Sequence, residues 1–173
     1  MILIDIGNTN IVLAVSSNNS LKKIKRVNTK IDTKELKILL NKIINNFLST
    51  KKLDNCNIAI ISSVVPNLNI LVKKILNKNS IKEFLIKPRH ITPYLKIKYN
   101  INEVGADRLA NSIAIIKNKI SDSIVIDFGT ATTFEVIKDN IFLGGVILPG
   151  INLSKNTLVK EASLLKNTKI IKS

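Results

Sequence analysis

The chain has 173 residues, a formal net charge of +15 and a pI near 10, with 45% hydrophobic and 23% charged residues. It can bury a core in one domain or two, and these proportions exclude a wholly disordered or fibrous chain. Ile, Lys and Asn number 31, 24 and 22, all residues with A/T-rich codons, so genome composition competes with function as the origin of the charge.

From the N-terminus, Ile2-Leu3-Ile4-Asp5-Ile6 and Ile11-Val12-Leu13-Ala14-Val15 flank a Gly7-Asn8 turn and predict a hairpin. A third strand is expected from Leu21 to Val27. Asp32-Thr33-Lys34-Glu35 resembles a capping box, and Leu36, Leu39, Leu40, Ile43 and Phe47 recur at helical spacing, which predicts a helix over 33–49. A buried strand follows over 57–64, then a helix opening at Pro66 with Leu68, Leu71, Val72 and Ile75 on one face. Short strands are expected over 83–86 and 95–98, and a helix over 105–117 with Leu109, Ile113 and Ile116 facing a core.

At residue 124 the opening pattern returns. Residues 124–137 align without gaps on residues 2–15 at an offset of 122, with Ile, Ile, Asp and Gly at matching places. An internal repeat sets the architecture. It predicts a first lobe over 1–121 and a second over 122–173, the latter with a third strand over 140–148 and a helix over 152–165. The second copy has only 52 residues, so the sequence implies either a minimal second lobe or a chain cut short.

Ser62-Ser63 and Asp127 interrupt the longest apolar runs, and Met1-Ile2-Leu3-Ile4-Asp5 lacks a basic leader region, so no membrane association is expected and a soluble cytoplasmic protein is. The single Cys56 and single His90 exclude an internal disulfide and a Cys/His zinc site. Both read as packing or surface residues. The lysines are scattered, Arg stands only at 26, 89 and 108, and aromatics make up 4%, so base readers and stacking platforms are scarce. A nucleic-acid partner is therefore not expected, although a basic regulator stays open as an alternative.

Two Asp-x-Gly turns between strands suit phosphate handling. Glycine lets the backbone approach an anion, successive N–H groups donate to its oxygens, and a nearby carboxylate can hold a cation. Neither a Walker loop nor a Gly-x-Gly-x-x-Gly fingerprint is present. The residues alone leave Asp107 as either a catalytic base or a carboxylate favoured by a helix N-terminus, and Asp5 and Asp127 as either cation holders or turn caps.

Asp5-Ile6-Gly7-Asn8-Thr9-Asn10, Ser62-Ser63-Val64-Val65-Pro66, Val104-Gly105-Ala106-Asp107-Arg108-Leu109-Ala110-Asn111, Asp127-Phe128-Gly129-Thr130-Ala131-Thr132-Thr133-Phe134 and Gly144-Gly145-Val146-Ile147-Leu148-Pro149-Gly150 together resemble the type III pantothenate kinases. The resemblance implies two ribonuclease-H-like lobes of the actin-like and sugar-kinase class, the second incomplete. It implies ATP-dependent phosphorylation of pantothenate, the first step toward coenzyme A, with Asp107 as general base. Tyr99, Gly105, Ala106, Asp107 and Arg108 would hold pantothenate. Asp5, Ile6, Gly7, Asn8, Thr9, Asn10, Ile11, Val12 and Thr130 would hold ATP. Asp127 would bind a monovalent cation, potassium or ammonium, and Mg²⁺ would accompany ATP. A homodimer is implied as well. The family usually has Pro where this chain has Ile101, and a downstream threonine that reaches pantothenate has no counterpart here. An inactive or nucleotide-binding accessory protein is the alternative.

Overall fold

A computed structural model describes residues 1–17, 20–49, 57–98, 100–120 and 122–162. The chain divides into two units. One comprises Met1–Ile91 with Asn102–Ala110, the other Thr92–Ile101 with Asn111–Ser173. The sequence-based division at 121 assigned residues 92–101 and 111–121 to the first lobe; the structure groups them with the second unit.

The first unit is a five-stranded sheet in the order β3-β2-β1-β4-β5, from β1 (Ile2–Ile6), β2 (Asn10–Ser17), β3 (Ser20–Asn28), β4 (Ile58–Ser63) and β5 (Lys82–Leu85). The β1–β2 and β2–β3 pairs are antiparallel, whereas β4 runs parallel to both β1 and β5. Parallel neighbours need a crossover. Helix α1 (Thr33–Leu48) lies between β3 and β4, and helix α2 (Pro66–Lys78) between β4 and β5.

Each helix forms for a local reason. The Asp32 carboxylate accepts the Lys34 and Glu35 N–H groups at 2.8 and 3.2 Å and caps α1. Pro66 occupies the first turn of α2, where its missing N–H is harmless. Helix α1 buries Leu36, Leu40, Ile44 and Phe47, and α2 buries Val72, Ile75 and Leu76. They share one core with Ile2, Ile4 and Ile6 of β1 and Ile11, Leu13 and Val15 of β2. Each such side chain contributes about 1.5–3 kcal/mol relative to exposure.

The second unit holds a four-stranded sheet in the order β6-β9-β8-β7, from β6 (Lys96–Ile97), β7 (Ser123–Phe128), β8 (Ala131–Lys138) and β9 (Ile141–Pro149). Helix α3 (Ala106–Lys117), whose residues through Ala110 belong to the first unit, precedes β7, and α4 (Ile151–Glu161) follows β9. The expected end of α4 near Leu165 lies outside the described residues. In α3 the fully buried positions are Leu109 and Ser112; Ile113 and Ile116, expected in a core, are only half-buried.

The repeat holds up to its turn and then slips by one residue. In the first hairpin Ile6 pairs with Ile11, whereas in the second Phe128 pairs with Thr132, so the second turn is one residue shorter. Beyond the turn the offset is therefore 121, not the expected 122. Side chains alternate with a period of two, so the slip changes which residues share a face. Phe134, not Glu135, lies opposite Ile126; Glu135 lies opposite Val125 on the other face, where it is buried with Ile137 and Phe142.

Candidate active site

In the first unit three of the sequence strings meet where β1 and β4 end. Because these strands are parallel, both expose their C-terminal ends on one side, the usual place for ligands in open α/β sheets. The Val64 N–H donates to the Ile6 carbonyl at 3.0 Å, tying the Ser62–Pro66 string to the strand that carries Asp5. The Ser63 hydroxyl accepts the Val65 N–H at 3.2 Å and shapes the entry to α2. A Cβ placed on Gly105 would stand 3.5 Å from Val64 Cγ1 and would collide with the Asp107 carboxylate. Glycine at 105 thus leaves room for the Asp107 carboxylate, whereas a Cβ would meet Val64 only at ordinary van der Waals distance.

Asp107 lies half-buried in the first turn of α3. Its Oδ1 accepts the Arg108 N–H at 2.8 Å, which fixes the carboxylate against the start of the helix. The adjacent Arg108 is half-buried too, with one guanidinium nitrogen enclosed. The Leu109 N–H donates to Gly105 O at 3.1 Å and closes the same turn.

The first hairpin turn is held from two sides. Gly7 N–H donates to Asn10 O at 2.9 Å across the turn. Thr29, at the end of β3, donates its hydroxyl to Gly7 O at 2.8 Å and its N–H to Thr9 O at 2.8 Å. The sequence reading missed Thr29, because its contact is set by strand pairing between Asn10 and Asn28, which no local motif announces. Asn8 at the tip is exposed, as is Asp5, which is flanked by Val12 and Ser62 in register. The Ser62 hydroxyl is buried without a hydrogen-bond partner.

The second unit repeats part of this arrangement. Asp127 is exposed, accepts from Asn111 Nδ2 at 3.3 Å, and pairs in register with Thr133, whose hydroxyl is buried without a hydrogen-bond partner. Both aspartates thus have a neighbouring hydroxyl whose hydrogen-bonding capacity is unmet. A carboxylate beside a hydroxyl is a hard-oxygen donor set and fits an alkali cation. Among the described residues no group of three or more His, Cys, Asp or Glu residues is placed to hold a metal ion.

The Gly129–Thr130 turn is closed by Gly129 N–H donating to Ala131 O at 2.9 Å. Gly150, at the start of α4, donates to Thr130 O at 2.9 Å, and any Cβ there would overlap the Gly129 and Thr130 carbonyls. Thr130 is exposed at this turn. Tyr99 and Cys56 lie outside the described residues. No described helix is long and apolar enough to cross a membrane.

The type III pantothenate kinase family model matches residues 1–173. The type III pantothenate kinases of Pelagibacter ubique and Thermosipho africanus are 38% and 36% identical, each over 98% of this chain, and that of Geobacter sulfurreducens is 37% identical over 99%. The chain spans 66% of the length of the first two relatives and 68% of the third. A solved structure described as a Baf family transcriptional activator from Campylobacter jejuni is 26% identical, with a TM-score of 0.56 over 99% of this chain and 65% of its own. MreB5 of Spiroplasma citri is 14% identical with a TM-score of 0.52 over 98% of this chain and 58% of its own, a likeness that bears on the fold alone. The architecture is mixed α/β, two sheets flanked by helices, as the sequence predicted.

Proposed function

The chain belongs to the type III pantothenate kinase family, and on that premise we propose that it transfers the γ-phosphoryl group of ATP to the primary hydroxyl of pantothenate. The observation that supports this reading most is the meeting of Ile6, Val64 and Gly105 at the end of β1 and β4, which brings the Asp107 segment to the strand carrying Asp5. Phosphoryl transfer demands positioning, charge neutralisation and a base within reach of the attacking hydroxyl.

In this reading an Asp107 carboxylate oxygen takes the hydroxyl proton as the pantothenate oxygen bonds to the γ-phosphorus and the bond to the ADP oxygen breaks. Arg108 pairs with the pantothenate carboxylate or a phosphate oxygen, for which its planar fork is suited. Gly105 and Ala106 leave room for the substrate, and Tyr99 belongs to the substrate-binding set by its match to the family. The backbone of residues 5–12 and the Asn8 side chain donate to ATP phosphates, while Thr29 fixes the turn that presents them. Thr130 makes a second ATP contact. Mg²⁺ supplies charge neutralisation when it arrives with ATP, and Asp127 with Thr133 would hold potassium or ammonium. A homodimer belongs to the same reading.

The test is formation of 4'-phosphopantothenate and ADP by the purified chain. Asp107→Asn is expected to lower turnover by roughly 10²–10⁴-fold with ATP binding retained. Unchanged turnover would refute the base assignment. ATP that raises the melting temperature of the unsubstituted chain without any product would instead identify a nucleotide-binding protein.

A further inference from the structure

Thr29 follows the last residue of β3 and is half-buried beside the first hairpin turn. The chain holds it from both flanks. Upstream, Val27 pairs with Ile11, and both are buried in the core. Downstream, Asn28 Oδ1 accepts the Lys30 N–H at 2.8 Å, and Asp32 caps α1. Thr29 is β-branched, so few χ1 settings are open to its side chain. Its hydroxyl is therefore a donor of fixed direction.

The two bonds from Thr29 to the turn constrain the peptide planes there. Its hydroxyl donates to Gly7 O and its N–H to Thr9 O, each at 2.8 Å. Any residue at 29 would supply the N–H, so the hydroxyl is what threonine in particular adds. A peptide unit is planar and trans, so its C=O and N–H point in opposite directions. With Gly7 O held toward β3, the Asn8 N–H of the same unit faces away from β3. In the sheet order β3-β2-β1-β4 that direction is the side of β4, after which Val64 lies beside Gly105. The Asn8 N–H is thus turned to the side of the sheet where the site strings meet.

We propose that Thr29 is a positioning residue for the nucleotide: by holding Gly7 O, its hydroxyl aims the Asn8 N–H at a phosphate oxygen and so sets the affinity for ATP. The inference rests on the kinase reading given above. In this role Thr29 touches no substrate atom and acts through the Gly7–Asn8 peptide. A backbone donor aimed in advance needs no reorganisation when the anion arrives.

Calorimetric titration of ATP and ADP into the purified full chain is the test, with steady-state kinetics and the ¹⁵N amide spectrum alongside. Thr29→Val keeps the shape and removes the donor. It is expected to weaken both nucleotides by about tenfold, the worth of one hydrogen bond to a charged acceptor. The KM for ATP should rise by the same factor while kcat stays within about threefold. Thr29→Ala removes the donor without the β-branch and should match Thr29→Val, whereas Thr29→Ser restores the hydroxyl and should bind within about threefold of the unsubstituted chain. Asp32→Ala loosens the neighbouring start of α1 but not the turn, and should leave nucleotide affinity unchanged. ATP should move the Asn8 amide signal in the unsubstituted chain and move it less in Thr29→Val. The role is overturned if Thr29→Val and Thr29→Ala bind ATP as tightly as the unsubstituted chain, if Thr29→Ser does not rescue, or if Asp32→Ala weakens ATP as much. An unsubstituted chain that binds neither nucleotide by about 10 mM instead ends the kinase reading, and this role with it, so the two failures are told apart.

Discussion

Ile2, Ile4 and Ile6 in the first hairpin are 0%, 2% and 0% exposed, whereas Ile124, Ile126 and Phe128, their counterparts in the second, are 65%, 48% and 68% exposed. The residue types and spacing are alike, so intrinsic strand preference cannot explain the difference. The helices downstream of each hairpin do explain it. After the first come α1 and α2, 16 and 13 residues long, whose apolar faces enter one core with β1. After the second, among the described residues, comes α4, 11 residues long, which buries none of its own side chains. The second sheet instead buries the opposite face, with Glu135, Ile137 and Phe142. A hairpin's pattern thus offers an apolar face, and another element has to cover it.

The widest separation between the two hairpins should come from truncating matched side chains. Ile4→Ala is expected to cost about 2–5 kcal/mol by urea denaturation, because it leaves a cavity under α1 and α2. Ile126→Ala should cost less than about 1.5 kcal/mol, since much of that side chain already meets water. Equal losses would end the comparison.

The turns offer the next contrast. Gly150→Ala pushes a Cβ into the Gly129 and Thr130 carbonyls and should destabilise by about 1–3 kcal/mol. Gly7→Ala meets only Asn10 O at 3.2 Å and should be milder in the same denaturation experiment. A larger loss at Gly7 would mean that the first turn is the tighter one.

Helix starts differ as well. Asp32→Ala removes the cap of α1 and should cost about 1 kcal/mol. Gly150, at the matching position of α4, supplies no side-chain cap, so Gly150→Asp adds the same overlap as Gly150→Ala with little capping gain. Circular dichroism of the paired variants at moderate urea reads the difference.

The smallest effect is electrostatic. The Lys73 ammonium beside Glu83 holds its carboxyl below the usual glutamate range, helped by the strand backbone and by Lys82. A carboxyl depressed in the folded state stabilises above its unfolded pKa and loses that contribution as pH falls through the folded value. Lys73→Ala should therefore flatten the acid limb of a stability profile below about pH 4.5, by no more than about 1 kcal/mol because the lysine is exposed. A flattened limb at neutral pH would point to another group.

Much of this molecule is legible along the chain. Helix α1 follows from Asp32 and the spacing of Leu36, Leu40 and Phe47, α2 from Pro66, and both hairpins from β-branched runs around Gly7 and Gly129. These are local signals, read within a turn or two of chain. The site strings were legible too, as residue types, but not Thr29 or the contact of Gly105 with Val64. Those partners are 22 and 41 positions apart in sequence.

The sequence by itself determined the elements, the caps, the two Asp-x-Gly turns and the family. Tertiary structure alone decided the one-residue slip in the second hairpin, the face on which Glu135 is buried, and the approach of Gly105 to Val64. The physical reason is that side-chain direction in a sheet alternates residue by residue, so one residue fewer in a turn exchanges faces without altering the apolar pattern that predicts the strands.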